Sequence, residues 1–427
     1  MPLSAELFSK PPSPSRAERR AAGRRPGKQP GDPGTHLAQV ADPDVVVTHA
    51  PDVCGSCGDR LDDAEVVGVD SRQVFDLPEI RLSVTEHRAE RRRCACGCVT
   101  KATFPDVATA SARYGPTIRG LAAYLAVHQH LPFDRMAQLF TDVLGAPVSV
   151  GALAGMVTEA AGALPSSLGV TRSLLHDAPA VHFDETGGRV EGSLHWVHSA
   201  STDLLTLIDC HKRRGRVAMD DFGVIGEMSG VAVHDGWKPY RHYDVDHGLC
   251  NAHHLRELLA VGIGWDQGWA NDLADLLREA KRSVEVARAQ GHRQLDAATL
   301  HSIRFRYGQL VAKGFTANPA PETGKRSGYD KKAFILLRRL DGQRDDVLRF
   351  TTDFAVPFDN NQAERDIRMV KLQQKISGSW RTLHGAKNFC AIRSYVSTMR
   401  KQDAGLLRRT TCAVRRSGLA AHRGLNS

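Results

Sequence analysis

Apolar residues recur along this chain with two different periods, and the change of period divides it. Between 112 and 160 the period is helical. Phe133, Met136, Leu139, Phe140, Val143 and Leu144 fall three and four residues apart, which predicts an amphipathic helix. Gly145 supplies a C-terminal stop, and Ser149 an N-cap for a second helix over Val150–Ala160. A helix, a short glycine-containing turn and another helix have the outline of a helix-turn-helix, shared by plain helical hairpins and DNA-reading modules.

From 178 the apolar runs shorten and alternate. Strands are predicted at Pro179–Asp184, Leu194–His198, Leu204–Ile208 and Gly230–Asp235, with a hairpin turn in Ser199–Asp203 and a helical stretch near Val217–Met228. That order implies three antiparallel strands, then a crossover to a parallel one. Residues 251–350 return to helical spacing, with Leu255, Leu258 and Leu259, then Leu273, Leu276 and Leu277. Nearer the N-terminus, Val66–Val69 and Val74–Leu77 alternate apolar and polar positions and predict short strands. Residues 1–43 carry no period. They are rich in Pro, Gly and Arg, as in Lys10-Pro11-Pro12-Ser13-Pro14, and read as a solvated linker able to touch phosphates.

Composition adds a direction to this outline. With 427 residues there is room for two or three domains, and 41% hydrophobic with 25% charged residues is ordinary for a soluble globular protein. A net charge of +9 and a pI near 9.2 suit a polyanionic partner. The basic charge is concentrated at the ends: from Glu364 to Arg416 thirteen Lys/Arg face three acids, and from Met1 to Thr35 seven face three. No apolar run approaches the ~18 residues of a spanning helix, and the N-terminus lacks a hydrophobic signal core. The expectation is a cytoplasmic protein with no membrane partner. Its nine cysteines are then metal ligands or buried thiols rather than disulfides.

Three acids stand in contexts suited to metal-dependent phosphodiester chemistry. Asp184 and Asp235 each end an apolar run, and Glu364 opens a basic helix. A carboxylate at the end of a buried strand is costly to ionise unless a cation or hydrogen bonds compensate it. Hard divalent ions, Mg²⁺ or Mn²⁺, prefer such oxygen ligands, and a pair of them serves in-line displacement. Each acid also has a structural reading: Asp184 with Glu185 on opposite strand faces, Asp235-Gly236 as a turn, Glu364 as a capping box with Asn361. Beyond Glu364, Arg365 follows directly, and Arg368, Lys371 and Lys375 continue its helical face, a surface for DNA phosphates. Cys54 and Cys57, with two of Cys94, Cys96 and Cys98, have the composition of a structural Cys₄ zinc site. His247, Cys250, His253 and His254 form a further cluster, read as a packed patch or a second metal site.

Taken together, these motifs resemble the transposases of insertion-sequence family 66. The resemblance rests on Ser9-Lys10-Pro11-Pro12-Ser13, His182-Phe183-Asp184-Glu185-Thr186, Asp235-Gly236-Trp237, Cys250-Asn251-Ala252-His253, Asn360-Asn361-Gln362-Ala363-Glu364-Arg365 and Lys375-Ile376-Ser377-Gly378. It implies a DDE transposase of α/β class: a ribonuclease-H-like mixed sheet with a helical insertion, preceded by a small zinc-binding β module and a helical segment. The implied domains are a linker at 1–43, a zinc module at 44–105, and a helical, helix-turn-helix-like segment at 106–175. A catalytic domain follows, split into 176–250 and 351–402 around an insertion at 251–350, with a tail at 403–427. Asp184, Asp235 and Glu364 would bind two Mg²⁺ (or Mn²⁺) ions, and Cys54, Cys57, Cys94 and Cys96 a structural Zn²⁺. Such an enzyme cuts the terminal repeats of its element and joins the 3′-OH to target DNA. It works as a homo-oligomer on DNA, near the nucleoid, with small accessory proteins of the same element. Only eight or nine residues precede the Lys-Pro-Pro linker, where the family carries a coiled coil, and the tail after Gln402 is atypical. The alternative expectation is therefore a truncated, catalytically inactive, zinc-containing DNA-binding protein.

Overall fold

The computed structural model describes residues 37–320 and 328–403. The N-terminal linker up to residue 36 and the tail from 404 lie outside the described residues. The chain divides into two compact units, one over Lys10–Leu82 and one from Ser83 onward.

The described part of the first unit, 37–82, holds one short motif. Cys54 N–H donates to the Asp59 carbonyl (2.8 Å) and Gly58 N–H to the Cys54 carbonyl (2.9 Å), closing a tight loop whose Gly58 has φ +80°. The strands expected at Val66–Val69 and Val74–Leu77 are absent. Val67 is 95% and Val74 92% exposed, so the alternation there buries no face and selects no sheet.

The second unit opens with a hairpin, β1 (Arg91–Arg93) and β2 (Val99–Lys101). Its antiparallel register pairs Arg93 with Val99 and places Cys94 to Cys98 in the turn. Helices α1 (Pro116–Ala123), α2 (Phe133–Leu144), α3 (Val150–Gly162) and α4 (Pro165–His176) follow. Gly145 stops α2 at φ +58°, and Ser149 Oγ accepts the Ala152 N–H at 3.2 Å to cap α3, as expected. The outward residues of α3 are Val150, Gly151, Ala152, Gly155, Thr158, Glu159 and Gly162. No basic or amide side chain stands on α3 to read DNA. Its single acid, Glu159, instead pairs with Arg113 and Arg119.

A five-stranded mixed sheet forms the centre: β3 (Ala180–Val190), β4 (Ser193–Ser201), β5 (Thr206–His211), β6 (Val231–His234) and β7 (His247–Leu249), in the order β5-β4-β3-β6-β7. The first three pair antiparallel, while β6 and β7 run parallel to β3. Between β5 and β6 lies α5 (Arg216–Phe222), shorter than the expected stretch, because Gly223 ends it at φ +62°. Both faces of the sheet are covered. On one, Val181, Phe183, Ala200 and Leu207 pack with Met219 and Phe222 of α5. On the other, Val190, Val197 and Ile208 meet α1–α3 and two C-terminal helices, α11 (Asn361–Ser377) and α12 (Leu383–Lys401). Five helices intervene: α6 (Asn251–Gly264), α7 (Gly268–Ala289), α8 (Ala297–Ala317), α9 (Gly328–Gly342) and α10 (Arg344–Thr352). They enclose a core of their own around Leu258, Leu273, Leu277, Tyr307 and Leu337. Gly188 shows how closely α11 and the segment after it cross β3, since a Cβ there would lie 3.2 Å from Gln374 of α11 and 2.9 Å from the Trp380 ring beyond it. None of the described helices is long and apolar enough to cross a membrane.

Two imidazoles make this packing acid-sensitive. Burial lowers His198 to about 4, and burial with the nearby Arg393 and Arg400 lowers His128 to about 4. Above an unfolded value of about 6.5 both are neutral in either state. Below it the unfolded chain takes up protons that the folded chain refuses, so stability falls as pH drops from 6.5 through 4. The urea midpoint is expected to fall steeply across that window, and His198→Gln to flatten the decline. An unchanged slope in the variant would remove His198 from the account.

Candidate functional site

The parallel pairing of β3 and β6 places two acids side by side. Ala180, Val181 and His182 pair with Val231, Ala232 and Val233; carried two residues further, this register sets Asp184 beside Asp235. Adjacent strands lie about 4.8 Å apart. Asp235 stands just past β6, where its carboxylate accepts the Trp237 N–H at 2.9 Å and shapes the exit turn.

The third acid arrives on α11, which is nailed to β3 at its N-cap residue. Asn360 Nδ2 donates to the Phe183 carbonyl at 2.7 Å, and its Oδ1 lies 2.8 Å from His182 Nδ1. With the amide so oriented, Oδ1 is an acceptor and His182 carries its proton on Nδ1. The Asn360 N–H donates to Cys250 Sγ at 3.1 Å. Glu364 lies one turn further along, with its side chain 30% exposed. The capping box with Asn361 does not form: Asn360 is the N-cap, and Glu364 Oε1 is buried without a hydrogen-bond partner. Asn360 opens the Asn-Asn-Gln-Ala-Glu-Arg run, but a buried amide's partners on a distant strand leave no local signal.

Alternation along β3 sorts its two neighbouring acids. Glu185 shares a face with Val181 and Phe183, and both its oxygens are taken. Arg214 Nη2 donates to Oε1 at 2.6 Å and the Tyr240 hydroxyl to Oε2 at 2.7 Å. Arg214 is itself held between the indoles of Trp196 (4.5 Å) and Trp237 (4.2 Å). Asp184 points the other way, with His182, toward α11. One of its oxygens accepts the Glu185 N–H at 2.9 Å. Burial, then the charges of Glu185, Asp235 and Glu364, raise Asp184 well above the usual carboxylate range. Asp184 therefore feels the charges of both Asp235 and Glu364.

A second layer braces Asp235. His234 Nδ1 accepts the Gly236 N–H at 3.0 Å, so Nε2 carries the proton and donates to His247 Nδ1, also 3.0 Å away. The His234 ring stacks on Tyr240 at 4.5 Å. His247 is thus a strand residue in this pair, and His254 is buried against Asn251 Oδ1 at 3.1 Å. Of the cluster read from the sequence, only Cys250 and His253 meet, and Glu364 joins them. Among the described residues, the one group of three metal-ligating side chains with all ligand atoms within 4.8 Å of one another is Cys250, His253 and Glu364, not the three acids. Arg214, Tyr240 and the histidine pair were missed because each acts through contacts made across the fold.

On the outer face of α11, Arg365, Arg368, Lys371 and Lys375 are all exposed. Lys371 Nζ donates to the Gly187 carbonyl at 2.7 Å, and Arg365 to Gln362 Oε1 at 2.6 Å.

The cysteines lie in two turns, one in each unit. Cys54 is lowered to about 7 by the Cys57 N–H, then the Ser56 N–H and the Cys57 thiol. Cys94 is lowered in the same way, by the Cys96 N–H and then its thiol. Both are thiolate-favouring turns of the type that zinc knuckles use.

Comparison with known families accounts for most of the described chain. A model described as "Transposase IS66 family" matches residues 111–388, and one described as "zinc-finger binding domain of transposase IS66" matches 51–97. The second match includes Cys54, Cys57, Cys94 and Cys96 and stops short of Cys98. No curated protein matches the sequence. With the acids on β3 and past β6, the helix pinned beside them and the cysteine turns all inside these two matches, the chain belongs to the IS66 family of transposases.

Proposed function

We propose that this transposase is a metal-dependent DNA strand-cleaving and strand-joining enzyme of the DDE type, with Asp184, Asp235 and Glu364 as its catalytic acids. One observation carries the reading. Asp184 within β3 and Asp235 just past the parallel strand β6 lie side by side, the third acid stands on a helix pinned to β3, and Asp184 is buried among like charges that a bound cation would relieve. The sheet order, three antiparallel strands and then two parallel ones, supports a ribonuclease-H-like core, split at 176–250 and 351–402 around the helical insertion at 251–350.

In this reading the three acids together would hold two ions about 3.5–4 Å apart. Bound Mg²⁺ or Mn²⁺ would activate the attacking oxygen and stabilise the leaving one. The protein's own residues do the rest. Arg214 and Tyr240 hold Glu185 away, so that Asp184 alone faces α11. The His234–His247 pair stiffens the turn that presents Asp235, and Asn360 sets the depth of Glu364. Arg365, Arg368, Lys371 and Lys375 offer the DNA backbone a positive face beside the acids. Cys54, Cys57, Cys94 and Cys96 are the proposed ligands of the structural zinc.

The deciding experiment offers purified protein the element's terminal repeats with Mg²⁺ or Mn²⁺, and separately supplies pre-cut ends with target DNA. Cleaved and joined products are expected, both abolished by chelating the divalent ion. Binding with no cut strand under any of these conditions would make the protein a DNA-binding relic instead. The basic face carries its own expectation. Log affinity should fall with log salt by roughly 0.9 per neutralised phosphate, and Lys371→Ala with Lys375→Ala should flatten the slope by about 2. Equal slopes in wild type and variant would place the DNA elsewhere.

A further inference from the structure

The group at the start of α6 is not used by the proposed chemistry, except that it shares Glu364. Cys250 is the N-cap residue of α6, and its buried Sγ receives the Asn360 N–H. His253, one turn on, turns Nε2 toward Glu364 Oε1 at 3.7 Å. That separation is too long for a hydrogen bond. It is close to the ~3.4 Å that separates two ligands on a tetrahedral ion with bonds of about 2.0–2.1 Å. Glu364 Oε1 and His253 Nδ1 are both buried without a hydrogen-bond partner. A carboxylate oxygen orphaned in this way is costly, and the nearest guanidinium, Arg256 Nη2, remains 3.8 Å away. Thiol, imidazole and carboxylate within 4.8 Å of one another form a mixed donor set that suits Zn²⁺ and is too soft for Mg²⁺.

We propose that Cys250, His253 and Glu364 bind a zinc ion of their own, distinct from the zinc of the N-terminal finger. Binding displaces the Cys250 thiol proton to solvent, and water completes the tetrahedron. The set engages Oε1 of Glu364 and leaves its other oxygen free. The site does not depend on the cleavage reading, and its failure would leave that reading intact.

Metal analysis of the full chain, loaded with Zn²⁺ and dialysed, tests the proposal. Two equivalents per chain are expected in the wild type. His253→Ala and Cys250→Ala should each lose one, and the finger double variant Cys54→Ser with Cys57→Ser should keep one. Replacement by Co²⁺ should give a thiolate charge-transfer band in the finger variant that Cys250→Ala removes. If His253→Ala or Cys250→Ala fails to fold, the finger variant decides alone. Retention of one equivalent there supports the site. Loss of all zinc from it, or wild-type zinc content in His253→Ala, overturns the site.

Discussion

Asp184→Asn is expected to lower strand cleavage by more than ~10³-fold while end binding stays within a few-fold of wild type. A loss of that size follows when one member of a group that acts as a unit is removed. The same change should not destabilise the metal-free protein. Burial and the neighbouring acids raise Asp184 well above its ordinary range, so its ionised form is disfavoured in the fold. Such a group favours the folded state below an unfolded value of about 3.9 and loses that contribution as pH rises through the raised folded value. Asn removes the cost, so the melting temperature of the variant should exceed that of wild type by a margin that grows with pH when divalent ions are absent. Glu185→Gln supplies the contrast. Its carboxylate is already engaged by Arg214 and Tyr240, so stability should fall while measurable cleavage remains. Full cleavage in Asp184→Asn, or a greater loss in Glu185→Gln, would move the chemistry to the other face of β3.

Asn360→Ala should produce the second large effect, and by a different route. The side chain touches no DNA in this reading; it fastens α11 to β3. Its removal strands the Phe183 carbonyl and the His182 N–H, both buried, at about 1–3 kcal/mol each. The start of the helix is then free to shift, and a displacement near 1 Å costs on the order of 10²-fold in rate. Urea unfolding should show the lost stability. Cleavage under folded conditions should show a lower rate at saturating DNA, with the affinity for ends unchanged. A variant that is destabilised yet cuts at the wild-type rate would show that Glu364 is positioned by something other than Asn360.

The strands that carry Asp184 and Asp235 were legible from their apolar runs, which burial of both sheet faces demands, but the end of β3 was not, because it continues past Asp184 to Val190 in its pairing with β4. The α2–α3 helix pair was legible from its period, with Gly145 and Ser149 marking the turn. Its role was not, because a helix-turn-helix outline says nothing of which face stays exposed, and α3 exposes small residues, a valine, a threonine and one acid, with no basic side chain. β7 escaped notice, since His247-Gly248-Leu249 is too short to show a period. The valines at 66–74 misled because alternation predicts a strand only where one of its faces finds a partner.

By itself, the sequence determined the alternation of element types, the three acids in their local contexts, the cysteine turns and the basic face of α11. These are properties of neighbours along the chain, where propensity, period and capping act. Only the tertiary structure decided that β3 and β6 run parallel in the register that sets Asp184 beside Asp235. It also decided that Asn360 is a clamp rather than a cap, and that Cys250 and His253 face Glu364 from another helix. Those outcomes depend on contacts between residues from about fifty to nearly 180 positions apart, and no local pattern encodes which partner a buried group will find.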